Sequence, residues 1–118
     1  MKKFLAIYLG TTDGEKMEKF KALDEATRKA TEKAGMEGWI KWMQDHEPSI
    51  IEQGSPLGKT KRISDSGISD VHNELSGWIV IEAESHEEAA KMFENHPHFA
   101  IFPGESIEVM ECLPIPEM

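Results

Sequence analysis

Residues 77–89 read Gly77-Trp78-Ile79-Val80-Ile81-Glu82-Ala83-Glu84-Ser85-His86-Glu87-Glu88-Ala89, and this stretch decides the fold class. Its first half has the aromatic and β-branched content of a central strand. At Ser85 the pattern changes. Ser85 and Glu88 stand three apart, the spacing at which each side chain satisfies the other's free backbone amide at a helix start, and the helix continues through Ala90, Lys91, Met92 and Phe93. A strand that gives way at once to a helix needs other strands beside it and other helices above it.

Downstream, Ser106-Ile107-Glu108-Val109-Met110-Glu111-Cys112 alternates strictly between polar and apolar, which predicts a last strand with one face buried, ended by Pro114 and Pro116. Upstream, Lys59–Ser64 and Ile68–Val71 predict a hairpin with Asp65-Ser66-Gly67 at its tip and the strand at 77–83 as its partner. Gln53-Gly54-Ser55-Pro56-Leu57-Gly58 has the composition of a turn. Before it, Met17, Phe20, Leu23 and Ala26 to Ala30 recur at helical steps between a cap at Thr12 or Asp13 and a left-handed stop at Gly35. A second helix is expected from Met36 with Trp39, Ile40, Met43, Ile50 and Ile51 as its apolar positions, interrupted at Pro48. Phe4 to Leu9, closed by Gly10, predicts the first strand. The order β, long or doubled α, β-hairpin, α, β is close to the split βαβ arrangement of ferredoxin-like folds. The expected class is therefore α+β, an antiparallel sheet with helices on one face, in one domain spanning 1–118, since 118 residues fill one hydrophobic core.

Charge narrows the partners. A formal net charge of −9 repels phosphate backbones and anionic lipid, and the densest basic run, Lys59–Arg62, is itself interrupted by Thr60. Neither nucleic acid nor membrane is expected as a partner. The apolar run at the N-terminus stops at Gly10, too short for a signal peptide, and no run approaches the roughly twenty residues of a spanning helix. One cysteine, Cys112, excludes an intrachain disulfide and a thiolate metal site, which fits a reducing, cytoplasmic setting; its place in an apolar strand predicts a buried, inert thiol.

The segment 77–89, followed by Asn95-His96-Pro97 and Ser106-Ile107-Glu108-Val109 and preceded by Gly54-Ser55-Pro56-Leu57, resembles the YCII-related family. The resemblance spans the last two thirds of the chain, and the strand Phe4–Leu9 fits it. It implies a ferredoxin-like fold of the dimeric α/β-barrel type and a homodimer. It implies no activity, because the family's His and Asp pair is missing. His96 stands before Pro97 where the family has its Asp, and Glu37, Gly38 and Trp39 stand where it has its His. The Asp-Gly-Pro-Phe signature of the DGPF branch is reduced to Asp70 in Asp70-Val71-His72-Asn73.

Candidate chemistry rests on four clusters. His96 and His98 flank Pro97 at a helix end, where imidazoles near neutral pKa suit proton transfer; the plain alternative is that they cap the helix C-terminus. Asp70 and His72 are two apart and so share one side of a strand, as an acid and base serving one cleft or as an ordinary polar surface. Trp39 and Trp42 share a helix face, where they wall a ligand or pack the core, and Glu37 is a further ligand-binding candidate. No metal site is assigned, for want of a third local ligand. No cofactor is assigned either, because Gly54-Ser55-Pro56-Leu57-Gly58 lacks both the Walker lysine and the Rossmann glycine spacing. Two functions fit: a small-molecule enzyme using acid–base chemistry in a cleft between helices and sheet, and a non-catalytic ligand-binding or accessory domain.

Overall fold

The computed structural model describes residues 1–117. In chain order it contains β1 (Lys2–Leu9), α1 (Glu15–Lys21), α2 (Glu25–Asp45), a 3-10 turn at Glu47–Ser49, β2 (Ile50–Pro56), β3 (Thr60–Ser64), β4 (Gly67–Val71), β5 (Leu75–Ala83), α3 (His86–Lys91), α4 (Pro97–Ala100) and β6 (Ser106–Glu111). The main sheet runs β2-β5-β1-β6 with every neighbour antiparallel. This is the ferredoxin-like α+β order, in which two split βα units interleave their strands.

Strand parity divides the sheet. Phe4, Ala6 and Tyr8 of β1 and Ile79, Ile81 and Ala83 of β5 are buried on one face, where Trp42 of α2, Ala89 of α3 and Phe93 complete the core. The alternate residues Leu5, Ile7 and Val80 are only half-buried, and Met110 of β6, opposite Leu5, is 42% exposed. The helices thus lie on one face, and a single chain leaves the other apolar face open. The start of α3 is as expected: Ser85 caps it, its hydroxyl accepting from Glu88 N–H at 3.1 Å.

The first helical region divides elsewhere than predicted. The break falls at Leu23–Asp24, where Asp24 caps α2 by accepting from Thr27 N–H at 2.7 Å. Helix α2 then runs unbroken through Gly35. Gly35 is buried mid-helix because the Phe102 ring occupies the place its Cβ would take, so the glycine serves close packing rather than a left-handed stop. Helix α1 begins at Gly14 without a side-chain cap from Thr12 or Asp13. Ile50 and Ile51, expected on the second helix, open the edge strand β2, which continues through the Gln53–Pro56 segment expected as a turn. Two register shifts admit Gly54 at φ +67°, where its α-carbon lies against the Trp78 carbonyl; a glycine and a proline in a bulged edge strand have the composition of a turn. The hairpin forms where predicted, yet pairs only within itself, as a two-stranded sheet apart from β5. Cys112 is exposed. It follows Glu111, which faces the helices beside Phe4, so alternation turns Cys112 to the open side.

Candidate functional site

Between α2 and the β2–β5–β1 end of the sheet lies a cavity of about 450 Å³, lined by Trp39, Met36, Ile40, Met43 and Phe102 on the helical side, by Tyr8, Gly54, Ser55, Gly77 and Trp78 on the sheet side, and by His98. Its size and largely apolar lining are those of a small-molecule site.

Local structure delivers His98 to this place. Asn95 adopts φ +59°, a left-handed turn that asparagine tolerates, and it reverses the chain after α3. His96 then caps the short α4, its Nδ1 accepting from His98 N–H at 3.0 Å. The expected cap of a helix C-terminus is therefore not what forms: His96 caps the start of the next helix, and Met92 ends the preceding one. Pro97 packs against Gly38 of α2, which brings α4 beside the cavity wall. His98 donates from Nε2 to the Leu9 carbonyl at 2.8 Å, and Gly104 lies so close to the ring that any side chain there would collide with it. Lys16 of α1 holds the same loop by donating to the Phe99 and Gly104 carbonyls at 2.7 and 2.8 Å.

The electrostatics follow from burial. His96 is fully buried, and desolvation, with smaller contributions from His98 and His46, pushes its pKa down to about 3. His98 is also lowered, chiefly by desolvation and further by the Lys16 charge, against opposing contributions from the Leu9 and Ser106 backbone and the Glu105 charge. Both rings are neutral at pH 7. With Nε2–H of His98 committed to Leu9, its Nδ1 is the acceptor left for a ligand. Burial raises the Tyr8 pKa. Among the described residues, Tyr8 Oη and His96 Nε2 are buried without a hydrogen-bond partner, and each such atom costs about 1–3 kcal/mol. Both rings pack on Trp39, whose centroid is 4.9 Å from Tyr8 and 4.6 Å, edge-on, from His96.

The predicted site residues divide accordingly. His98 and Trp39 line the cavity, and His96 sits behind it. Trp42 turns into the core and donates from Nε1 to the Met92 carbonyl at 2.8 Å. Glu37 is exposed; at two residues from Trp39 the helical rotation sends it to the far side of α2. Asp70 and His72 lie at the hairpin base in a separate depression, exposed, with Asp70 paired to Lys61 at 2.6 Å. Because β3 and β4 leave the main sheet, this pair does not meet His98. Tyr8 was missed, since a tyrosine in an apolar strand looks like core; the signal was its inward parity opposite Gly77, whose missing side chain lets the ring lie close against β5. Among the described residues no group of three His, Cys, Asp or Glu side chains is placed to hold a metal, and no helix is long and apolar enough to cross a membrane.

No protein-family model and no curated protein matches the sequence. Among solved structures the chain is similar in fold to 5-chloro-2-hydroxyhydroquinone dehydrochlorinase (TftG) from Burkholderia phenoliruptrix AC1100, described in complex with 2,5-dihydroxybenzoquinone. The TM-score is 0.51 at 17% identity, over 91% of this chain and 89% of that one. At that identity the likeness establishes a shared α+β fold.

Proposed function

We propose that the chain is a YCII-related-like protein that takes a small planar molecule into the cavity under α2 and acts on it by acid–base chemistry. His98 is the proton-transfer group and Trp39 the wall on which the ligand stacks. One observation carries this reading: a neutral imidazole, its tautomer set by the Leu9 carbonyl, lines a largely apolar cavity. His96 positions that ring by accepting the His98 backbone amide. TftG, named as a dehydrochlorinase and bound to a dihydroxybenzoquinone, adds support for small oxygenated rings as the compounds to try first. The same reading has the protein working as a cytoplasmic homodimer.

A non-catalytic binding domain is the second reading, favoured by the bond from His98 to Leu9, which ties α4 to β1 and so has a structural use without any chemistry. A thermal-shift screen with phenols, quinones, lactones and aromatic acids tests both. A ligand at a hundred times its Kd stabilises by about 2.7 kcal/mol. For hits, solvent-deuterium exchange into the ligand, followed by NMR, is expected in the native chain and lost in His98→Gln. Binding without exchange or turnover in the native chain selects the second reading, and no shift with any class overturns both.

A further inference from the structure

We infer that Tyr8 is a ligand-recognition group of this cavity, and that the ligand it selects is an uncharged ring bearing a carbonyl or phenolic oxygen rather than a carboxylate. The inference deepens the proposed function and rests on its reading of the cavity as a ligand site.

Tyr8 projects from β1 into the helix-facing side of the sheet and is 5% exposed, yet its hydroxyl is without a partner among the described residues. Buried tyrosine hydroxyls ordinarily find one. The ring lines the cavity between Trp39 and His98, and the strand behind it is fixed, since Ser76 Oγ donates to the Tyr8 carbonyl at 2.9 Å. The hydroxyl is covered by its neighbours, so a ligand oxygen reaches it only by displacing the side chains that close over it; that contact would satisfy it without disturbing the sheet. Burial keeps the phenol protonated, so it enters such a contact as a donor. His98 Nδ1, its Nε2–H already committed to Leu9, supplies the complementary acceptor.

Charge decides the class. Among the described residues lining the cavity none is charged; its polar side chains include Tyr8, Gln53, Ser55, Ser76 and His98. A carboxylate would shed its hydration there and meet no cation, a loss that neutral donors do not offset. Lys16, the cation beside His98, already gives its ammonium to two backbone carbonyls. The chain's net charge of −9 repels anions from outside as well.

The test uses three probes of one shape at pH 7.5: acetophenone, benzoate and toluene, followed by Trp fluorescence and by NMR shifts of the full chain. Acetophenone is expected to bind about tenfold more tightly than benzoate, and Tyr8→Phe to weaken acetophenone by about tenfold while leaving toluene unchanged. Toluene binding in the variant also verifies that the cavity is still formed. Benzoate binding as well as acetophenone overturns the uncharged class while the cavity reading stands. Acetophenone affinity unchanged in Tyr8→Phe overturns the role of the hydroxyl. Failure of all three probes in the native chain overturns the cavity reading itself.

Discussion

At the end of β1 the rings of Tyr8 and Trp39 lie 4.9 Å apart and each within 4.6 to 6.2 Å of the His96 and His98 rings, centroid to centroid, and two of their polar atoms are enclosed without partners among the described residues. A buried neutral imidazole links folding to pH. The folded pKa of His96, about 3, lies below its ordinary 6.5, so the unfolded chain binds the proton more readily. Its contribution to stability is complete above about pH 6.5 and is lost as pH falls from there toward 3, by at most about 1.4 kcal/mol per pH unit; His98 adds loss of the same sign. The thermal midpoint is expected to drop steadily from pH 6.5 to 4. In His96→Asn the slope over that interval should be shallower, and an unchanged slope would mean that other groups drive it. His98 was legible as a candidate from its Pro-His context, whereas its neutrality was not, because neutrality comes from the α2 and β1 residues that bury it.

Helix α2 carries the cavity wall, and its two inner glycines set how closely the α4 loop approaches. Alanine is the better helix former by about 1 kcal/mol. At Gly35, however, the methyl would strike the Phe102 ring, and overpacking a closed contact costs about 1–3 kcal/mol. The second effect wins: Gly35→Ala is expected to lose up to about 2 kcal/mol in denaturant unfolding, and Phe102→Leu in the same chain should recover part of that loss. Additive losses in the double mutant would mean that the two side chains do not collide. The same pair explains the misplaced helix boundary. A glycine in sequence signals a stop, but here a ring from sixty-odd residues away fills the space beside it.

The molecule as a whole is flat, 57 × 43 × 19 Å, with all its helices on one side of the sheet and the β3–β4 hairpin pairing only within itself, Ile63 and Ile68 more than 70% exposed near its tip. Leu5, Ile7, Val80 and Met110 form an apolar surface that lacks cover within one chain. Sheets of this kind are stable in water when that face is packed against another layer, and a second copy is the simplest one. Light scattering is expected to give twice the chain mass of 13.3 kDa, and Val80→Lys, which sets a charge in the middle of the face, should give the single mass with the main sheet intact by circular dichroism. A concentration-independent single mass for the native chain would remove the dimer from the proposal.

Neighbours along the chain suffice for the apolar and β-branched runs that make β1 and β5, the alternation that makes β6, the Ser85 cap of α3, the turn at Asp65–Ser66, and from their order the α+β class. These depend on periodicity and on backbone bonds that close within a few residues. Tertiary structure decided the rest. Whether Gly35 ends a helix or receives Phe102, whether Gln53–Pro56 is a loop or a bulged edge strand, whether Trp39 or Trp42 faces the cavity, and whether Asp70 and His72 lie beside His98 all depend on contacts between residues far apart in sequence. The hairpin is the plainest instance: its pairing is local and was legible, but its separation from β5 follows from β2 taking that edge, which no local pattern encodes.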